Sequence, residues 1–117
     1  MDPRHQQRVQ TVQNLFAYSF PQLCNNLPSA EDTMTQTVIS HLPQIDTFIT
    51  KNAKKFSIDK IAKIDLSILR LAVCELVVIK KEPPKVIINE AVELAKAFGG
   101  DKSYGFVNAI LGKVVSK

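Results

Sequence analysis

Apolar side chains recur along this chain at intervals of three and four residues, and no useful stretch alternates with a period of two. Val9, Val12, Leu15, Phe16 and Phe20, with Ser19, keep one face of a 3.6-residue period. Asp2 and Pro3 open that helix as N-cap and first-turn residues, and Pro21 stops it. Met34, Val38, Ile39 and Leu42 form a second run after Ser29 as cap, with Glu31 and Asp32 in the positive first turn and Pro43 as punctuation. Ile45, Phe48 and Ile49 support a third helical stretch that runs out in the lysine-rich KNAKKFS.

From Ser57 the signal strengthens, first as a short turn with Ile58 and Ile61, then as LSILRLAVCELVVIKK with Asp65 as its cap. Leu66, Leu69, Val73, Leu76 and Ile79 share one side, while Ile68, Leu71 and Val77 widen the stripe, which predicts a central, nearly surrounded helix. Ile88, Ala91, Ala95 and Phe98 carry the next helix, with Gly99 as a left-handed terminator. Ser103 caps the last, with Phe106, Val107, Ile110, Leu111 and Val114 inward. The expected fold is all-α, a compact bundle of six or seven helices in one domain spanning 1–117.

Composition changes this picture little. At 45% hydrophobic and 22% charged the chain is ordinary globular material. No apolar run reaches the roughly 18–20 residues of a membrane span, and the polar opening MDPRHQQRVQ lacks the apolar centre of a secretion signal. A cytoplasmic protein without a membrane partner is expected. Cys24 and Cys74, without a second Cys or His at ligand spacing, read as reduced, small apolar residues. Charge is uneven: residues 1–50 hold two basic and four acidic side chains, residues 51–117 thirteen and seven. A basic second half suits an anionic partner such as nucleic acid, and it equally serves solubility.

Catalytic patterns are lacking. His5 and His41 have no evident nucleophile or orienting partner. Glu90 and Glu93 are one turn apart, as on many solvated helix faces, without the Glu-x-x-His pair of a helical metal site. Gly99-Gly100 lacks phosphate-loop spacing. A protein that is not an enzyme, with no metal, cofactor or small-molecule substrate, is expected.

The segments IDLSILRLAVCEL, VIINEAVELAKAFG and SYGFVNAILGKV, at their spacing within 57–115, closely resemble the NusB family of bacterial transcription antitermination factors, supported by RVQTVQNLFAYSF near the start. The resemblance implies an all-α factor that binds boxA RNA of nascent transcripts together with ribosomal protein NusE. It also implies a place in the RNA polymerase antitermination complex that promotes read-through, notably of ribosomal RNA operons. The alternative is a helical protein-interaction module without significant RNA binding, motivated by a thin basic tip.

That tip, RHQQR, is where the resemblance places RNA binding: Arg4, His5 and Arg8, a sparser cluster than family members often carry. Lys85 and Lys102 border the last two helices and supplement it, with Tyr104 and Phe106 as aromatic candidates for base stacking. The spacing of Phe106 to Ile110 also fits a core role, whereas Tyr104 is placed to be exposed. Glu75, a lone carboxylate in an apolar helix, is either paired internally or offered to a basic partner such as NusE. Arg70 is assigned to an internal salt bridge or the helix surface. Asn89 and Asn108, in the motifs INEA and FVN, are given structural roles satisfying backbone groups near helix starts, ahead of any RNA contact.

Overall fold

The computed structural model of the protein describes residues 2–116. Six α-helices run through them: α1 (Pro3–Tyr18), α2 (Thr33–Ser40), α3 (Leu42–Asn52), α4 (Lys63–Cys74), α5 (Pro84–Phe98) and α6 (Ser103–Val115). A 3₁₀ turn, Ile58–Lys60, precedes α4, and a π-helical turn, Glu75–Ile79, continues it. No described residue is in a strand.

The widened stripe on α4 has the expected consequence. Leu66, Ile68, Leu69, Leu71, Ala72, Val73 and Cys74 are all buried, and α4 packs against each of the other five helices. Leu15, Ile45, Ile49, Ile87, Leu94 and Leu111 close the core from those helices. Burying one such Leu or Ile fully contributes roughly 1.5–3 kcal/mol.

Helix boundaries differ from the sequence expectations where local polar chemistry intervenes. Asp2 caps α1 as expected, accepting from the Arg4 amide at 2.9 Å, but the helix ends at Tyr18, ahead of Pro21. Asp32, not Ser29, caps α2, accepting from the Thr35 amide at 3.2 Å. The Ser29 backbone is held instead by Asn14, which accepts from its N–H and donates to its carbonyl. Pro43 lies in the first turn of α3, where its missing N–H costs nothing, so it starts a helix and does not end one.

Asp65 is not the cap of α4. The helix begins two residues earlier, at Lys63, with Ala62 in the cap position, and Asp65 sits in its first turn. Gly99 ends α5 with an extended backbone (φ −94°, ψ −173°), not a left-handed one. It is glycine for another reason: a Cβ there would lie 2.5 Å from Ser103 Oγ and 2.8 Å from the Ala95 carbonyl. Ser103 is the first residue of α6, and its hydroxyl accepts from the Gly100 N–H at 2.9 Å, folding the α5–α6 turn tightly.

Candidate nucleic-acid interface

Two regions contain the residues singled out from sequence. The first is the start of α1. Arg4 and Arg8 are one turn apart, but Arg8 also stands four before Val12 and seven before Leu15, so it shares their inward face. The expectation that Arg8 lies exposed on the tip is therefore corrected: its side chain is 8% exposed. Its guanidinium donates through Nε and Nη2 to both Glu75 oxygens, at 3.0 and 2.9 Å, and through Nη2 to Glu82; Nη1 lies 3.6 Å from Glu90. The hydrogen bonds to Glu75 raise the Arg8 pKa above its already high ordinary value, against the opposing effect of burial.

Glu75 is correspondingly not free for a partner protein. It is buried and paired internally, which settles the two readings left open for it. The π-helical turn aims it. The Lys80 N–H reaches back to the Glu75 carbonyl at 2.9 Å, and Lys80 takes a left-handed backbone, φ 55°, to leave the helix. Glu82 then follows close enough to accept from both Arg8 and, at 3.2 Å, Arg4. His5 Nδ1 lies 3.0 Å from Glu90. Of the three candidates Arg4, His5 and Arg8, Arg4 is the one largely in solvent, its side chain 65% exposed.

The second region is an open cleft of about 650 Å³ between the segment leading into α4 and the start of α6. Phe56, Lys60, Ile61, Ile64 and Asp65 line one wall; Lys102, Ser103 and Phe106 are among the residues of the other. Phe56 and Phe106 meet edge to face, ring centres 5.5 Å apart, so Phe106 is half core and half cleft wall. Lys102 is exposed at the cap position of α6. Tyr104 is 47% exposed, with Lys96 Nζ 5.3 Å from its ring centre.

Asp65 Oδ1 is buried against the cleft without a hydrogen-bond partner among the described residues. The dipole of the first turn of α4 favours its charge, yet an acceptor left unpaired costs about 1–3 kcal/mol.

Lys85 is exposed at the start of α5, away from the cleft lining. Asn89 and Asn108 depart from their structural assignment. Both side chains are exposed and, among the described residues, make no hydrogen bond. Asn89 lies half a turn from the buried Ile87 and Ala91, and Asn108 faces away from the side formed by Val107 and Leu111. Arg70 forms the internal bridge expected of it, bidentate to Asp46 at 3.0 and 2.9 Å.

Comparison with known proteins places these features in a wider set. A family model described as the NusB family matches residues 4–116. The transcription antitermination protein NusB of Finegoldia magna is 47% identical over 79 residues, 68% of this chain and 58% of that protein. In three relatives 44–47% identical, the matched part amounts to 58–66% of their length, so this chain spans about three-fifths of those proteins. NusB of Lactiplantibacillus plantarum is 38% identical, with 96% of this chain and 94% of that one covered. T. maritima NusB superimposes with a TM-score of 0.86 at 27% identity, covering 99% of this chain and 92% of that structure. A chain from a crystal structure of antitermination factors NusB and NusE in complex with dsRNA shares the fold, at TM-score 0.80 and 22% identity, over 98% of both chains.

Proposed function

The chain belongs to the NusB family, and on that premise we propose that it is a transcription antitermination factor. It binds boxA RNA of nascent transcripts together with ribosomal protein NusE, and the complex helps RNA polymerase pass terminators. It works by binding alone, with no catalytic step.

The observation that carries this reading is the cleft. Exposed Lys60 and Lys102 stand with the Phe56 and Phe106 rings in its lining, and outside that lining Lys96 lies against the exposed Tyr104 ring, the combination by which unpaired bases are stacked and their phosphates held. The cleft wall includes Asp65, whose buried Oδ1 has no hydrogen-bond partner among the described residues, an acceptor suited to a cationic side chain of a basic ribosomal protein. Asp65 thus takes the partner-docking role expected of Glu75.

Binding of a fluorescent boxA RNA, with and without NusE, tests the proposal. Affinity that rises when NusE is added supports it. Binding to NusE with no gain for RNA would make the chain a protein-interaction module.

A further inference from the structure

A polyanion is held where cations are uncompensated, and this chain concentrates them in one place. Residues 51–63 contain five of its 15 cationic side chains, Lys51, Lys54, Lys55, Lys60 and Lys63, and one of its 11 acidic ones, Asp59. That segment alone carries the whole net charge of +4, and the rest of the chain is balanced. All five lysines are exposed. Among the described residues none of them pairs with a carboxylate; Lys63 Nζ instead lies 5.4 Å from the Phe20 ring centre, and Asp59 accepts from the Ser57 hydroxyl.

The start of α1 is the reverse. Arg4 and Arg8 face Asp2, Glu75, Glu82 and Glu90, an excess of two carboxylates that nearby Lys81 and a protonated His5 would at most cancel. A phosphate arriving there displaces a carboxylate already in place. At the lysines it displaces only counterions, the release that drives RNA binding.

We infer that the phosphates of a single-stranded RNA are held by the lysine segment 51–63, the strand entering the cleft at Phe56 and Lys60 and crossing toward Lys102. The α1 tip, by contrast, fixes its own place in the fold through Arg8. The inference rests on the RNA-binding reading above and relocates its electrostatic site. Phe56 follows Lys54 and Lys55 directly and is 43% exposed, a ring for a base beside cations for its phosphates. Inside the cleft Lys60 and Lys102 are offset by Asp65 and Asp101, so the attraction comes from the lysines that precede it in the chain.

The test is a salt series of binding to a short fluorescent single-stranded RNA. It compares the unaltered protein, K54Q/K55Q/K60Q and R4Q, with NusE binding measured alongside. The triple variant is expected to flatten the log–log salt slope by about 2, at roughly 0.7 per phosphate contact, and to weaken binding about tenfold to a hundredfold near 0.1 M salt. R4Q should change the slope by less than about 0.7. An unchanged slope in the triple variant, with R4Q losing affinity, would put the phosphates at the tip and overturn the inference while leaving the RNA-binding reading intact. Loss of NusE binding with RNA affinity preserved would make the lysines a protein-docking surface and equally overturn it. Absence of RNA binding by the unaltered protein would contradict the functional reading itself along with the inference.

Discussion

Arg8 in the first helix and Lys54 in the 51–63 segment carry the same formal charge in opposite surroundings. Arg8 is 8% exposed and held by Glu75, Glu82 and Glu90; Lys54 is exposed and, among the described residues, pairs with no carboxylate. A cation counted in a sequence is not yet a cation available to a partner. At the tip, positive charge is consumed in joining α1 to the end of α4 and the start of α5. Along 51–63 no described carboxylate pairs with it, and it remains as surface field.

The largest effect separating the regions is on stability. Arg8→Ala leaves Glu75 buried beside Glu82 without its counter-charge, and the unfolding free energy in urea should fall by about 3–5 kcal/mol. A loss below about 1 kcal/mol would contradict the structural role given to the tip. Next is the exposed ring beside Lys96: Tyr104→Ala should cost RNA binding about 1–3 kcal/mol, the worth of one stacked base, with no change in the melting transition. Equal affinity in both proteins would remove Tyr104 from the interface.

The lysine segment sharpens the contrast from the other side. K54Q/K55Q/K60Q should leave unfolding free energy within about 0.5 kcal/mol per site, because among the described residues the replaced groups pair with no carboxylate. A large destabilisation would show the lysines to be structural after all. The smallest effect is at Asp2. The hydrogen bond from the Arg4 amide holds its carboxyl below the ordinary 3.8. A depressed folded pKa means the cap is present above the unfolded value and lost as pH falls through the folded one. The Arg4 amide resonance should therefore titrate with a midpoint under 3.8, and a midpoint at or above it would contradict the cap.

The helices were legible because apolar period survives without any knowledge of contacts: the stripe on α4 reads as central, and α4 is central. Asp2 was legible for the same reason, since its bond is local. The burial of Arg8 was also written in the pattern, four residues from Val12, but its charge argued for solvent and its partners lie 67 and 74 residues away. The π-helical turn that aims Glu75 leaves no periodic mark in one sequence. Asn89 and Asn108 were given backbone-satisfying roles for their nearness to helix starts, but position along a helix does not fix the face, and both point outward. The short turn at Ile58 was legible, but Asp65 was placed wrongly, as a cap, because a capping-type residue in the first turn of a helix looks the same in sequence as one at its cap, and α4 starts two residues earlier, after Ala62.

Two-dimensional NMR of isotope-labelled protein, following backbone amides and lysine side chains while single-stranded RNA is added, tests the central contrast most directly. The account predicts that shifts concentrate on Lys54–Lys63 and Lys102–Phe106, with the Arg8 side-chain signal unmoved. Shifts confined to Arg4–Arg8, with the lysines silent, would contradict it.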